Sequence, residues 1–128
     1  MSTPTLLRGG EVLLGKLKPI TQYLNSDGVT EICVNHQGVV HIEHEGGWIR
    51  EEVAALDFGW LMSIAVATAN YSNQQINAKS PILSATLPGG ERIQIVIPPA
   101  VASNQVSLTI RRPSPVIRTL DQYEESGL

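Results

Sequence analysis

Apolar residues recur along this chain with two different periods, and the switches between them mark out the elements. Leu13, Leu17, Ile20 and Leu24 stand three or four residues apart, the spacing that gathers side chains on one face of a helix. They predict a helix over about 11–25, in one piece or two. Pro19 falls inside it, and an interior proline removes an N–H and crowds the preceding turn. Asn25-Ser26-Asp27-Gly28 ends the helix as a turn. From Val29 the period drops to two. Val29 to Asn35 puts Ile32 and Val34 on one face and Glu31 and Cys33 on the other. Val39 to His44 turns Val40 and Ile42 inward and His41 and Glu43 outward, and Trp48 to Glu52 is a third short strand. His36-Gln37-Gly38 and Glu45-Gly46-Gly47 join the three as an antiparallel meander.

The helical period returns after Asp57, a good N-cap residue. Phe58, Leu61, Met62, Ala65 and Ala69 share one face, Trp60, Ile64 and Ala67 spread onto others, and no charge stands between Asp57 and Lys79. A helix apolar on nearly every side is a central core helix, or one covered in part by another subunit. Next, Ile82–Leu87 and Arg92–Ile97 alternate on either side of Pro88-Gly89-Gly90-Glu91, which predicts a hairpin. Its second strand turns Ile93, Ile95 and Ile97 inward and Arg92 and Gln94 outward, and Pro98-Pro99 ends it. The last alternation runs from Val106 to Arg112, with Val106, Leu108 and Ile110 opposite Ser107, Thr109 and Arg111. Helix, strands, helix, strands predicts an α+β domain: a single antiparallel sheet of about six strands with helices packed on it.

Composition narrows the class. One domain is expected of 128 residues, and 42% hydrophobic with 16% charged residues describes an ordered globular chain. A net charge of −3 argues against a general polyphosphate binder, although it leaves room for a local basic cluster. The single cysteine allows no internal disulfide and fits a reducing compartment. The sequence shows no secretory signal and no apolar run long enough for a membrane span. Residues 1–10 mix Ser, Thr, Pro and Gly and are expected to be a flexible N-terminus, with the α+β domain over 11–112. Pro113-Ser114-Pro115 begins a stiff connector, and Thr119 with Gln122 forms a capping box that predicts a short helix over 120–126. The stop at Leu128, directly after that helix signal, reads as a cut in a linker and so predicts a fragment.

Several patterns look chemical and mostly are not. Gly10 to Lys16 has the glycine and lysine spacing of a phosphate loop, but Leu17 stands where Ser or Thr would hold Mg²⁺ and no strand precedes it. His41 and His44, three apart on a strand, point to opposite faces and cannot share a metal ion, so no metal site is expected. Cys33 has no base near it in sequence and reads as a half-buried structural residue. Glu51-Glu52 and Glu124-Glu125 are solvated charges.

The arginines carry more. Arg92 opens one strand on its polar face and Arg111 closes another on its polar face, with Arg112 and Arg118 beyond it. If those strands are antiparallel neighbours, two guanidinium groups gather at one rim of the sheet. Each would offer a phosphate a planar fork of donors. The plain alternative is two surface arginines paired with Glu91 and nearby carboxylates.

Several separated stretches together resemble one family. They are Tyr23-Leu24-Asn25, Gly28 to Asn35, Gly47-Trp48, Pro81 to Ala85, Leu87-Pro88-Gly89-Gly90-Glu91-Arg92-Ile93-Gln94-Ile95, and Ser107 to Ser114. They resemble the N-terminal domain of the VirB-type traffic ATPase of type IV secretion systems, within the secretion NTPase superfamily. The resemblance spans about residues 11–128. It implies a homo-hexameric ring, cytoplasmic and peripheral at the inner membrane, that couples ATP to protein or DNA secretion and so bears on conjugation and virulence. It implies a RecA-like C-terminal ATPase domain, of the same or an adjacent chain, that supplies the phosphate loop and the Mg²⁺ ligands. Other secretion-system components would be partners. Arg92, in Gly-Glu-Arg, and Arg111, in Thr-Ile-Arg, would be the nucleotide-phosphate-binding residues. Residues 113–128 would be the interdomain linker and the start of a truncated ATPase. ATP and Mg²⁺ would serve the full-length protein, with no cofactor expected in the fragment. This polypeptide alone should not hydrolyse ATP, having no catalytic residue of its own. The rival class is a sensor-like small-ligand or docking α+β module without a nucleotide role.

Overall fold

A computed structural model describes residues 9–113. Two short helices, α1 (Gly9–Lys16) and α2 (Lys18–Leu24), are followed by a meander of β1 (Val29–His36), β2 (Val39–His44) and β3 (Gly47–Glu52). A longer helix, α3 (Phe58–Tyr71), leads to β4 (Ile82–Thr86), β5 (Arg92–Val96) and β6 (Ser107–Arg111). The six strands form one sheet in the order β3-β2-β1-β6-β5-β4, and every neighbouring pair is antiparallel. The fold is therefore α+β, a single six-stranded antiparallel sheet with helices on it. The capping-box helix and most of the Pro113–Leu128 connector lie outside the described residues.

The first helix is in two pieces, and the break falls at Leu17 rather than at the proline. Pro19 then sits in the first turn of α2, where a missing N–H costs nothing. The Leu17 carbonyl accepts from the Ile20 N–H at 2.9 Å and from the Thr21 hydroxyl at 3.0 Å. Each piece can therefore aim its own apolar residues. Leu13 and Leu17 are buried where α1 packs on α3, and Ile20 and Leu24 are buried where α2 packs on β1.

Asp57 caps α3, its carboxylate accepting from the Trp60 N–H at 2.8 Å. The Trp60 indole N–H donates to the Lys16 carbonyl at 2.8 Å and so satisfies an acceptor at the end of α1. Leu61, Ile64, Ala65, Ala67, Thr68 and Ala69 of α3 are buried, which accounts for its uncharged sequence. Beneath the helices, Ile32, Val34, Val40, Ile42, Leu83, Ile93, Ile95, Leu108 and Ile110 floor the core, each at the inward position of its strand. β3 differs: all six residues are exposed, and Ile49 stays 45% exposed although it pairs with buried Ile42. As an edge strand it has a partner on one side only, and it keeps Arg50, Glu51 and Glu52 along its length.

Candidate anion-binding site

The helices cover one face of the sheet, so the outward residues of six strands make an open polar face. Register lines them up in rows. One row crosses the whole sheet: Trp48 on β3, Glu43 on β2, Glu31 on β1, Arg111 on β6, Arg92 on β5 and Thr86 on β4. Arg92 and Arg111 are direct cross-strand partners, although 18 residues and a long connection separate them in sequence. Their neighbours in the next row are Thr109, Gln94 and Ser84. Together these groups line an open depression of about 570 Å³ whose charged members are the two arginines.

Local sequence explains why Arg92 stands there. The turn before it is closed by the Leu87 N–H donating to the Glu91 carbonyl at 2.7 Å, and Gly90 adopts φ +98°, open to glycine without strain. A Cβ on Gly89 would stand 2.9 Å from the Glu91 carboxylate, so that acid lies over the turn backbone. Among the described residues Arg92 has no ion-pair partner. Arg111 does: its Nη2 donates to Glu31 Oε1 at 3.3 Å. The pair is unequal, since the Arg111 side chain is 71% exposed and Glu31 only 19%. A single contact leaves most of the guanidinium's N–H groups free. Directly opposed like charges repel across a ladder, and Glu31 on the far side of Arg111 offsets that cost.

Arg112 is a different residue in the same sequence. Its alternation places it on the other face, and its guanidinium donates to the carbonyls of Ser26 and of Val29, the latter at 3.2 Å. It fastens the turn before β1 and is not turned toward the arginine pair.

The other patterns resolve simply. Gly10 to Lys16 lies in α1, so the N–H groups of Leu13 to Lys16 serve the helix and the segment is not the open loop that an anion cradle needs. His41 stands in the second row beside Arg50 and Cys33, and His44 meets the Asp27 carbonyl at 3.1 Å. Among the described residues no group of three His, Cys, Asp or Glu side chains is placed to hold a metal. The Cys33 thiol donates to Glu31 Oε2 at 3.4 Å. Burial, followed by the adjoining Glu31 carboxylate, pushes it up to about 11, which leaves it a poor nucleophile at neutral pH.

Glu31 is the site residue the sequence pattern did not single out. Its outward phase was visible, but its place beside Arg111 depends on β1 pairing with β6, and nothing local announces that pairing.

No family model matches the chain. The type IV secretion system protein VirB11 of Bartonella henselae is 49% identical over 117 residues, covering 91% of this chain and 33% of that protein. VirB11 of Brucella suis biovar 1 is 44% identical over 111 residues, covering 87% of this chain and 31% of the relative. PtlH of Bordetella pertussis, also a type IV secretion system protein, is 43% identical over 98 residues, covering 77% and 29%. The crystal structure of the VirB11 ATPase from the Brucella suis type IV secretion system, in complex with sulphate, superposes with a TM-score of 0.88 at 39% identity. That match covers 98% of this chain and 37% of the other. The chain thus spans about a third of the length of the curated relatives it matches. With sequence and fold agreeing over nearly all of it, this chain corresponds to the N-terminal domain of the VirB11 proteins of type IV secretion systems.

Proposed function

We propose that this domain forms one tier of a hexameric secretion ATPase and clamps nucleotide phosphate there through Arg92 and Arg111. The observation that carries the reading is the direct cross-strand pairing of these two arginines over an open depression on the uncovered face. Two guanidinium groups side by side offer several N–H donors and two positive charges, which suits a terminal phosphate. The donor set fits ATP, and the Mg²⁺ ligands belong to the RecA-like domain, of the same or an adjacent chain. In that arrangement the two arginines orient and neutralise phosphate oxygens supplied from across the domain boundary, and the phosphate loop opposite would do the rest. Residues 113–128 serve as the interdomain linker, so that gripping or releasing phosphate moves one domain against the other. Protein or DNA substrates, other secretion-system components and a cytoplasmic position at the inner membrane complete the proposal.

The test is made in the longer protein that carries the ATPase domain. Arg92→Ala and Arg111→Ala are each expected to lower ATP turnover by roughly 10²–10³-fold, the scale of losing a charge-stabilising donor. Turnover and nucleotide affinity equal to wild type in both variants overturn the clamp.

A further inference from the structure

The charges on the open face are arranged, not scattered. Along one row the order is Glu43, Glu31, Arg111, Arg92, so two carboxylates adjoin two guanidinium groups and the row is neutral overall. Glu31 sits at the boundary. It is the less exposed member of its ion pair, at 19%. Both of its oxygens are engaged, Oε1 by Arg111 at 3.3 Å and Oε2 by the Cys33 thiol at 3.4 Å. Arg111 is the more exposed partner, long and held by one contact.

An anion seated on both arginines must share Arg111 with Glu31. It also sits between β6 and β5, about one and a half strand spacings (roughly 7 Å) from the strand that carries Glu31, a range at which like charges still repel. Both effects oppose binding. We propose, on top of the phosphate-clamp reading above, that Glu31 is the resident counter-ion of the site: it holds Arg111 in the row and weakens the grip on phosphate, so that the anion is released readily. Glu31 is thus a positioning residue whose charge sets affinity. Its removal strengthens binding, whereas removal of either arginine abolishes it. A carboxylate with a purely structural role would have no reason to produce a gain.

Glu31→Gln keeps the shape and an acceptor for the thiol while removing the charge. Tripolyphosphate is titrated into the full 128-residue chain at low ionic strength, following the arginine Nε–H resonances by ¹⁵N NMR. The wild type is expected to bind weakly with the Arg92 and Arg111 side-chain signals moving together. Glu31→Gln is expected to bind roughly five-fold more tightly, the scale of one exposed ion pair plus one removed like charge. Glu31→Asp, which restores the charge, is expected to return affinity toward the wild-type value. Binding by the wild type that is unchanged or weaker in Glu31→Gln overturns the counter-ion role and leaves the clamp standing. Failure of the wild type and of Glu31→Gln alike to bind overturns the counter-ion role, and the clamp is then judged by turnover of Arg92→Ala and Arg111→Ala in the longer protein. Binding seen only in Glu31→Gln supports the role.

Discussion

On the helix side of β6, Leu108 and Ile110 are sealed between flanking strands and the helices; on the other side of the same strand, Thr109 is half-buried and Arg111 stands in the open. The same division holds along β5, where Ile93 and Ile95 are buried and Arg92 and Gln94 are exposed. Both sets are positioned by one ladder of hydrogen bonds, so neither face can be rearranged independently. The covered face supplies stability through apolar area removed from water. The open face spends almost nothing on stability and instead holds two like charges together, an arrangement that would cost energy without the scaffold beneath it. A rigid sheet with one uncovered side is a means of fixing side chains that would otherwise drift apart.

The contrast breaks most visibly at β6. Ile110→Ala is expected to cost about 2–5 kcal/mol in urea unfolding, by lost burial and a residual cavity. Its neighbour Arg111→Ala is expected to stay within about 0.5 kcal/mol of wild type, because an exposed ion pair contributes little. A large loss at Arg111 would mean that the open face stabilises the fold after all. Arg112 sharpens the division further. Arg112→Ala strips partners from the Ser26 and Val29 carbonyls and is expected to cost about 1–3 kcal/mol by the same measurement. Tripolyphosphate binding should be unaffected in that variant, so two adjacent arginines would fail in opposite assays.

The smallest effect concerns Cys33, on the open face beside Glu31. Its thiol ionises near 11 in the folded chain against an ordinary value near 9. The unfolded chain therefore loses this proton first, and the contribution to stability is complete below pH 9. It declines as pH climbs toward 11 and is lost above it. Thiolate absorbance during an alkaline titration should show the late ionisation, and Glu31→Gln should bring it earlier. An inflection near 9 in the folded protein would show that the thiol is neither desolvated nor held by the carboxylate.

Much of this was written in the order of residues. Alternation placed Arg92 and Arg111 outward and Arg112 inward, and the meander, the second hairpin and the uncharged helix all lie where the periods put them. What periodicity cannot supply is which strands meet. The outward phase of Glu31 and of Arg111 is local information, while their contact depends on β1 and β6 pairing across the middle of the sheet. Phase also does not reveal that Ile49 stays exposed, since that follows from β3 standing at an edge. The break at Leu17 escaped for a related reason. A proline announces that a helix must adjust nearby, but packing on α3 and on β1 decides where.

The central seam of the sheet has a bearing on how the molecule comes into being. Glu31 and Arg111 meet across 80 residues of chain, and β6 is the last of these six strands to be synthesised. A nascent chain that has emerged only as far as β5 holds a meander and a hairpin with no bridge between them. Closing so large a loop is entropically slow, and the reward arrives only when β6 slots into the gap. The strand that completes the core thus also delivers one of the two arginines, and an unfinished chain has no anion site to occupy.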